Sequence, residues 1–394
     1  MEIKELIKEF ENKFGKGGEI RIFQSPGRVN LIGEHTDYNG GYVFPAALTM
    51  RTAIAYRRRD DNIIKMMATD LDNVVEADIS NLGGYKDLWW GNYQIGVADV
   101  MKKKGYEIVG CDMLFDDTTP HGGGLSSSAA IEVATALAFA TISNEIKGIK
   151  EPVDMVEMAK ISQQAEHEYI GVMCGIMDQF ASAMGKKNHA IMLDCKTLKY
   201  DLVPVNIEGC KLVISNTNKK RSLADSKYNE RRSECERAVE NLKKVMPEIT
   251  CLADVSPEEF EKYRGEIENT VDAKRAEHVV YEIDRVVKSK EALCNNDIAE
   301  FGRLMNASHD SLRDLYEVTG IELDTLVAEA RKIPGVLGSR MTGAGFGGCT
   351  VSIVKDESVD EFIKNVGEKY TEKIGYAPSF YISEIGDGGR ETSV

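Results

Sequence analysis

The pattern of apolar and polar positions predicts a chain in which short strands and amphipathic helices are mixed. Runs rich in β-branched and aromatic residues predict strands at 19–24, 53–58, 63–68, 107–115, 190–194, 211–216, 349–355 and 379–385. Apolar residues at helical spacing predict helices at 1–10, 87–104, 126–142, 152–170, 226–246, 277–293, 297–316 and 359–373. Because these elements show no regular βαβ repeat, we expect an α+β fold rather than a doubly wound parallel sheet.

The length of the chain, 394 residues, exceeds that of most single domains, so two domains are predicted. The boundary is weakly marked in the sequence. We place it near residues 204–211, which gives an N-terminal α+β domain at 1–205 and a C-terminal α+β domain at 206–394.

Composition and charge narrow the classes of partner. The net charge of −15 argues against nucleic-acid binding and requires any phosphate site to rely on local N–H groups and a cation. The eight cysteines form no C-x-x-C pair and the six histidines show no H-x-x-x-H spacing, so no zinc site is predicted. No apolar run approaches the roughly 20 residues of a membrane helix, and we expect the N-terminal segment to be an amphipathic helix and not a signal peptide. We expect a cytoplasmic protein with no membrane contact.

The first motif, residues 25–41, combines opposite charges with turn residues. Arg28, Glu34, His35 and Asp37 lie close together in the sequence, and glycines and a proline punctuate the run. A short apolar run, 29–32, separates Arg28 from the acidic cluster. A fold needs no such cluster, whereas a site that must bind many hydroxyl groups does.

The second motif, residues 120–130, places three glycines before three serines at a predicted helix start. Bare backbone N–H groups and the positive end of a helix favour an anion, and a triphosphate is the ligand that we expect. The serine hydroxyls could also bind a metal. The alternative is a glycine turn with a serine N-cap. The chain contains no Walker A sequence and no protein-kinase H-R-D or D-F-G motif.

The third motif, residues 341–349, contains a literal G-x-G-x-x-G at Gly343, Gly345 and Gly348. A dinucleotide-binding loop needs a helix after it, but a β-rich run follows here. We therefore expect a glycine loop that closes over another site, with a tight turn entering a strand as the alternative.

Two carboxylates stand out in the middle of the chain. Asp178 lies among apolar residues, so it should either pair with a cation or have a raised pKa, and both suit a general base. Arg28 is the partner that we assign to it. A helix N-cap is the alternative for Asp178. Glu166 lies at the edge of an apolar helix face, and a solvated position is its alternative.

In their order and amino-acid sequence, the three motifs resemble those of the galactokinases of the GHMP small-molecule kinase family. The second and third motifs mark the broad superfamily. The first, Gly-Arg-Val-Asn-Leu-Ile-Gly-Glu-His-Thr-Asp-Tyr-Asn-Gly-Gly, is specific to galactokinases and close N-acetylgalactosamine kinases. The resemblance spans essentially the whole chain. It implies a two-domain GHMP kinase fold, with an N-terminal domain like ribosomal protein S5 and an active site in the cleft between domains.

The resemblance also implies an activity and a set of site residues. The activity is ATP-dependent phosphorylation of D-galactose at its 1-hydroxyl, with Mg²⁺ as cofactor, in a monomer or weak oligomer. Asp178 matches the proton acceptor, and Arg28 the arginine that stabilises the transition state. The sugar-binding positions are Glu34, His35, Thr36, Asp37, Gly175 and Tyr228. The ATP-binding positions are Gly122, Gly123, Gly124, Leu125, Ser126, Ser127 and Ser128. The magnesium positions are Ser128 and Glu166.

The chain departs from the family's pattern at two positions, and two other functions are alternatives to galactokinase activity. Gly123 stands where alanine is commoner, and the serine often found near the end of the strand at 63–68 is missing. An N-acetylgalactosamine kinase differs in the room beside the sugar 2-position. A non-catalytic galactose sensor would lose part of the Ser-Ser-Ser-Ala stretch, which is intact here at 126–129. Within the first motif we expect Arg28 to serve phosphoryl transfer, the residues from Glu34 to Asp37 to read the sugar, and the apolar run to act as a spacer.

Overall fold

The computed structural model describes residues 1–120, 123–220 and 224–393, without the side chains of 224–226. The strands are β1 Arg21–Asn30, β2 Tyr42–Val43, β3 Pro45–Arg58, β4 Ile63–Ala68, β5 Val75–Asp78, β6 Cys111–Asp117, β7 His189–Asp194, β8 Tyr200–Pro204, β9 Cys210–Asn216, β10 Val336–Thr342, β11 Cys349–Lys355, β12 Ser379–Ser383 and β13 Arg390–Thr392. The α-helices are α1 Ile3–Phe14, α2 Asn92–Lys103, α3 Ser127–Lys147, α4 Met155–Ala165, α5 Met177–Met184, α6 Ala224–Leu242, α7 Pro257–Tyr263, α8 Thr270–Cys294, α9 Ile298–Ser311, α10 Gly320–Ala330 and α11 Val359–Ile374. One turn of π-helix extends α4 over Glu166–Ile170, and another extends α9 over Leu312–Tyr316.

The described strands form three sheets. A six-stranded sheet has the order β13-β1-β3-β6-β4-β5, a four-stranded sheet the order β10-β11-β9-β12, and a three-stranded sheet the order β2-β7-β8. Strands β4 and β6 run parallel, while the other ladders formed by the described strands are antiparallel. The predicted α+β class is therefore confirmed.

The largest apolar cluster lies between the six-stranded sheet and the helices α2, α3 and α4. Helix α3 is central to it, because its alanines allow close packing and its C-terminus ends at Gly148 in the left-handed conformation. Among the described helices, α3 alone has the length and apolar composition of a membrane span, and 72% of that window is buried inside the fold. The burial is that of a core helix.

A second cluster joins the two halves of the chain. Val29, Leu31 and Ile32 are fully buried and pack with residues of β9, β11, α8 and α9. The apolar run of the first motif is therefore part of a core shared between both halves, in addition to separating two polar groups. The last strand also crosses between the halves, since β13 pairs with the edge of β1.

Candidate active site

The first half of the site is built on an irregular strand. The pairing of β1 with β3 shifts register between Pro26 and Arg28, where Gly27 of β1 faces residues 48–50 of β3, so the ladder is interrupted beside Arg28. A Cβ atom on Gly27 would lie 2.7 Å from the carbonyl oxygen of Leu125. The absence of that atom lets the second motif approach the strand, and the Arg28 N–H donates to the same carbonyl at 3.0 Å.

Arg28 connects a carboxylate to the second motif. Its Nε atom donates to Oδ1 of Asp178 at 2.9 Å, and its Nη2 atom forms an ion pair with the same oxygen at 2.8 Å. Its Nη1 atom donates to the carbonyl oxygen of Gly124 at 2.7 Å. Arg28 is 4% exposed, so the guanidinium is shielded from water, while the side chain of Asp178 is 36% exposed and accessible to a ligand. Asp178 lies in the first turn of α5, whose N-cap is Ile176; the N-cap alternative for Asp178 is therefore wrong.

The second motif enters α3 through left-handed backbone at Gly124 and Ser126. Ser126 occupies the N-cap position but its side chain makes no capping hydrogen bond, and its buried hydroxyl has no partner among the described residues. The hydroxyl of Ser127 donates to Asp117. Leu125 is buried and anchors the loop. The predicted ATP-binding residue Gly122 lies outside the described residues, together with 121.

Gly123 has little room for a side chain. A Cβ atom there would lie 3.2 Å from the carbonyl oxygen of Pro120 and 3.4 Å from Asn216 and Cys349. An alanine at this position, which is commoner in the family, would therefore require its neighbours to shift by a few tenths of an ångström.

Buried carboxylates gather beside the start of α3. Glu166 is 8% exposed, so its solvated alternative is wrong, and its Oε1 atom accepts from the hydroxyl of Ser128 at 3.4 Å. Burial, followed by the charge of Asp178, raises the pKa of Glu166 to about 7. Glu132 is fully buried on α3, and Gln179 donates to both glutamates. Burial and the nearby Glu166 hold the pKa of Glu132 well above its usual range. Burial and neighbouring negative charge therefore raise the pKa values of both glutamates.

Glu34 and His35 join the first motif to the third. The Gly343 N–H donates to Oε1 of Glu34 at 2.7 Å, and Arg340 lies 3.4 Å from the same atom. The His35 Nε2 atom lies 3.0 Å from the carbonyl oxygen of Ala344. Burial lowers the pKa of His35 to about 3, so the ring is neutral, donates through Nε2 and accepts through Nδ1 from the hydroxyl of Tyr38.

The third motif is the loop between β10 and β11. A strand precedes it and another follows, so it lacks the helix of a dinucleotide-binding loop. A Cβ atom on Gly343 would lie 3.3 Å from the carbonyl oxygen of Gly124. The second and third motifs, which are more than 200 residues apart in the sequence, are therefore adjacent in space.

Asp37 and Gly175 are in direct contact. A Cβ atom on Gly175 would lie 1.9 Å from Oδ2 of Asp37, so only glycine leaves that carboxylate its place. Burial and the nearby Asp178 and Glu34 raise the pKa of Asp37 to about 6. Thr36 differs from its neighbours, because its buried hydroxyl bonds to the carbonyl oxygens of Gly33 and Tyr42 and so holds the turn.

Aromatic rings pack together around His35 and Tyr38 of the first motif. The ring of Tyr228, on α6, lies 5.7 Å from that of His35 and 5.1 Å from that of Tyr38. The hydroxyl of Tyr38 is bonded to that of Tyr316 at 2.7 Å. Tyr228 thus reaches the first motif from the second half of the chain, as its predicted place requires.

An apolar cavity of about 610 Å³ opens beside the start of α3. Its wall includes Trp89, Trp90, Tyr93 and Phe115, and it extends to Ser127 and Ser128. Aromatic and aliphatic walls beside a helix N-terminus suit a ligand with a flat ring and a charged phosphate tail.

Three family profiles match the chain in the order of the three motifs. The galactokinase galactose-binding signature matches residues 8–58, the GHMP kinase N-terminal domain residues 92–186, and the GHMP kinase C-terminal domain residues 289–372. The galactokinase of Clostridium acetobutylicum is 54% identical over 392 residues, which cover 99% of both chains. The chain belongs to the galactokinase family.

Other galactokinases agree with this assignment. The galactokinase of Bacillus subtilis is 48% identical over 391 residues, covering 98% of each chain. The crystal structure of Lactococcus lactis galactokinase complexed with galactose superposes with a TM-score of 0.93 at 42% identity, covering 99% of this chain and 100% of that one. A mevalonate kinase structure, at 20% identity and a TM-score of 0.65, shares the fold. The predicted two-domain GHMP kinase fold is confirmed.

Some residues of this galactokinase-family site were missed by sequence reasoning. Glu132 interrupts an apolar helix face, and a lone carboxylate there could have signalled it. Gln179 directly follows Asp178 and could have been included with it. Arg340 is fully buried and donates to the carbonyl oxygen of Asn30 at 2.6 Å. The sequence around Arg340 did not indicate this, because Asn30 and Glu34 lie about 300 residues away from it.

Proposed function

We propose that this member of the galactokinase family transfers the γ-phosphoryl group of ATP to the 1-hydroxyl of D-galactose. The observation that carries the proposal is the position of Arg28, which bonds to Asp178 on one side and to Gly124 of the phosphate motif on the other. Phosphoryl transfer depends on positioning and on neutralising charge. A buried arginine between an acceptor carboxylate and a helix N-terminus supplies both.

Asp178 is the proposed proton acceptor. Both contacts from Arg28, the hydrogen bond from Nε and the ion pair with Nη2, are to its Oδ1 atom, which leaves Oδ2 to accept the proton of the sugar 1-hydroxyl. The guanidinium forms an ion pair with this carboxylate. It also lies where negative charge develops on the transferred group, so the same side chain stabilises the transition state.

ATP is the proposed phosphoryl donor, with its base in the cavity beside α3 and its phosphates at 122–128. Mg²⁺ is the proposed cofactor, and Ser128 and Glu166 would hold it. They fit this cation, because Mg²⁺ is usually held by one or two carboxylates together with substrate phosphates and water. No group of three His, Cys, Asp or Glu side chains suited to a metal occurs in the described part of the chain. When bound, Mg²⁺ would neutralise phosphate charge.

The sugar is proposed to lie among Asp37, Glu34, His35, Gly175 and Tyr228. Ionised Asp37 accepts hydrogen bonds from hydroxyl groups, and Gly175 leaves it room to do so. Thr36 stays a prediction as a sugar ligand, since its hydroxyl is already bonded within the turn. The division into domains at 1–205 and 206–394, cytoplasmic residence and a monomer or weak oligomer also stay proposals.

The test is phosphorylation of a panel of hexoses by ATP with Mg²⁺, followed through ADP release, with the phosphate position read by NMR. We expect D-galactose 1-phosphate as the main product. Preference for N-acetylgalactosamine would replace the substrate in this proposal. Tight galactose binding without any sugar phosphate would instead indicate a sensor and overturn the enzymatic function.

A Gly175→Ala variant should lose sugar affinity. The added Cβ would lie 1.9 Å from Oδ2 of Asp37, so the carboxylate must move away from its position. We expect the KM for galactose to rise about 10-fold, as for the loss of one charged hydrogen bond, while the KM for ATP stays near normal. Gly265→Ala is the matched control, because nothing lies within 4 Å of its added Cβ. An unchanged galactose KM in Gly175→Ala would contradict the role of Asp37.

An Asp37→Asn variant should bind galactose more weakly and have a higher thermal stability above the pKa of Asp37. The folded pKa of Asp37 is about 6, against an ordinary value of 3.8. Between these two pKa values the carboxyl is protonated in the folded state and ionised in the unfolded state. Its contribution to stability therefore falls as pH rises from 3.8 to about 6. Replacing the carboxylate should raise Tm at about pH 8 and change it little at about pH 4, while galactose affinity falls. If turnover were abolished with sugar binding unchanged, Asp37 would belong to the chemical step instead.

A further inference from the structure

The ring of His35 is held at both of its nitrogen atoms. Its Nε2 atom lies 3.0 Å from the carbonyl oxygen of Ala344 in the third motif, and its Nδ1 atom lies 2.7 Å from the hydroxyl oxygen of Tyr38. A carbonyl oxygen only accepts, so the neutral ring carries its hydrogen on Nε2, and Nδ1 is an acceptor. The hydroxyl of Tyr38 therefore donates to His35, and a donor at one ring nitrogen favours the tautomer that donates from the other.

The hydroxyl of Tyr38 is itself held by a second hydroxyl, from the other half of the chain. Its oxygen lies 2.7 Å from the hydroxyl oxygen of Tyr316, which lies 3.2 Å from Sγ of Cys235. A hydroxyl group has one hydrogen, and that of Tyr38 goes to His35. Tyr316 must therefore donate to Tyr38, and Cys235 to Tyr316. The direction of the whole series of hydrogen bonds follows from its last acceptor, the carbonyl oxygen of Ala344.

Tyr316 is a fixed end point for this series of hydrogen bonds. It is fully buried, and it ends the π-helical turn at Leu312–Tyr316, a feature often found at functional sites. Its carbonyl oxygen accepts from Nε of Arg231 at 2.7 Å. Its ring packs against those of His35 and His278, with centroid distances of 4.8 and 4.6 Å. The hydroxyl of Tyr316 thus has a defined position from which it orients Tyr38.

We propose that Tyr38 is a positioning residue, whose hydroxyl orients the ring of His35 so that the ring holds the third motif against the first. The third motif also contacts the phosphate motif, because a Cβ atom on Gly343 would lie 3.3 Å from the carbonyl oxygen of Gly124. The Gly343 N–H donates to Glu34 of the first motif. A loop that contacts both motifs sets the distance between the sugar and the phosphates. The effect on turnover rests on the proposed function, whereas the contacts that hold the loop do not.

The variant Tyr38→Phe removes this hydroxyl and keeps the aromatic ring. It leaves the buried Nδ1 atom of His35 unpaired, so we expect kcat, measured by ADP release, to fall about 10-fold. Galactose affinity, measured by calorimetry, should stay within about 2-fold of the native value, because the residues that read the sugar are unchanged. Tyr316→Phe should lower kcat by about 3-fold at most, since Tyr38 can still donate to His35. Tyr281→Phe is the matched control, because its hydroxyl bonds to Glu261 in an exposed contact, and it should leave kcat unchanged.

The variant His35→Gln tests whether Tyr38 acts through this ring. The amide N–H of a glutamine can donate to Ala344 without a donor at a second ring nitrogen. Adding Tyr38→Phe to His35→Gln should therefore change kcat by less than about 2-fold, since the two residues act as one unit. A full loss in this background, or weaker galactose binding by Tyr38→Phe at unchanged kcat, would overturn the inference. So would a lower Tm of Tyr38→Phe without any change in kcat.

Nuclear magnetic resonance of the ¹⁵N-labelled protein separates the inference from the proposed function. His35 is one of six histidines, and the His35→Gln variant identifies its ring signals by their loss. We expect a single tautomer with its hydrogen on Nε2, and amide signals of residues 343–348 that shift in Tyr38→Phe but not in Tyr281→Phe. A hydrogen on Nδ1, or unchanged loop signals in Tyr38→Phe, would overturn the inference regardless of activity. The expected signals without any sugar phosphate would support it and overturn the proposed function.

Discussion

An Asp178→Asn variant should bind galactose and turn it over at least ~100-fold more slowly, the scale of lost general-base help. The amide keeps the shape of the carboxylate, and its oxygen can still accept from Arg28. It cannot take the proton of the 1-hydroxyl. The loss should therefore appear in kcat, measured by ADP release, while galactose affinity measured by calorimetry changes little.

The control for this variant is Asp201→Asn. Asp201 is an exposed carboxylate paired with Lys290 on the surface, so its loss should leave turnover unchanged. Thermal unfolding of both variants excludes a folding defect. Near-normal kcat in Asp178→Asn would remove the proton-acceptor role and leave Asp178 as a group that only orients the sugar.

An Arg28→Ala variant should lose at least ~100-fold in turnover, as when one preorganised donor is removed from a charged transition state. It also removes the bond to the Gly124 carbonyl, so we expect the KM for ATP to rise as well. Arg28→Lys separates charge from geometry. A lysine keeps the positive charge but lacks the planar fork that here bonds to Asp178 and Gly124 together, so it should recover only part of the lost kcat.

Arg21→Ala is the matched control for Arg28. Arg21 begins the same strand, β1, and forms ion pairs with Glu145 and Glu391. Its loss should affect stability modestly and leave kcat unchanged. If the Arg28→Lys variant had the native kcat, the simultaneous contact of Arg28 with Asp178 and Gly124 would not contribute to catalysis.

The longer helices and most of the longer strands could be predicted from hydrophobic spacing alone, because their buried faces are apolar. Other elements, or parts of them, could not. Strand β1 continues through Pro26 and Gly27, which are typical of a turn, and its pairing with β3 shifts register there. Strand β10 carries the buried polar residues Ser339 and Arg340, which hide its apolar pattern. Helix α5 is only eight residues long, too short for a clear periodic signal.

The site could be predicted as far as its residue types and not as far as its contacts. The pairing of Arg28 with Asp178 was expected from an apolar setting, and the contact is observed; the catalytic roles stay predictions. The interaction of Glu34 with Gly343 and Arg340 was not expected. It joins parts of the chain about 300 residues apart, and such pairs are set by tertiary packing, which local sequence does not encode.

The shared core around Val29, Leu31 and Ile32 has a consequence for how substrates enter and leave. Separating the two halves of the chain would expose this fully buried seam, at about 25 cal/mol for each Å² of apolar surface uncovered. Wide hinge opening is therefore disfavoured, and small sliding movements or loop displacements are the cheaper routes. Galactose and its phosphate should accordingly pass beneath the loops at 123–128 and 343–348 while the seam stays closed.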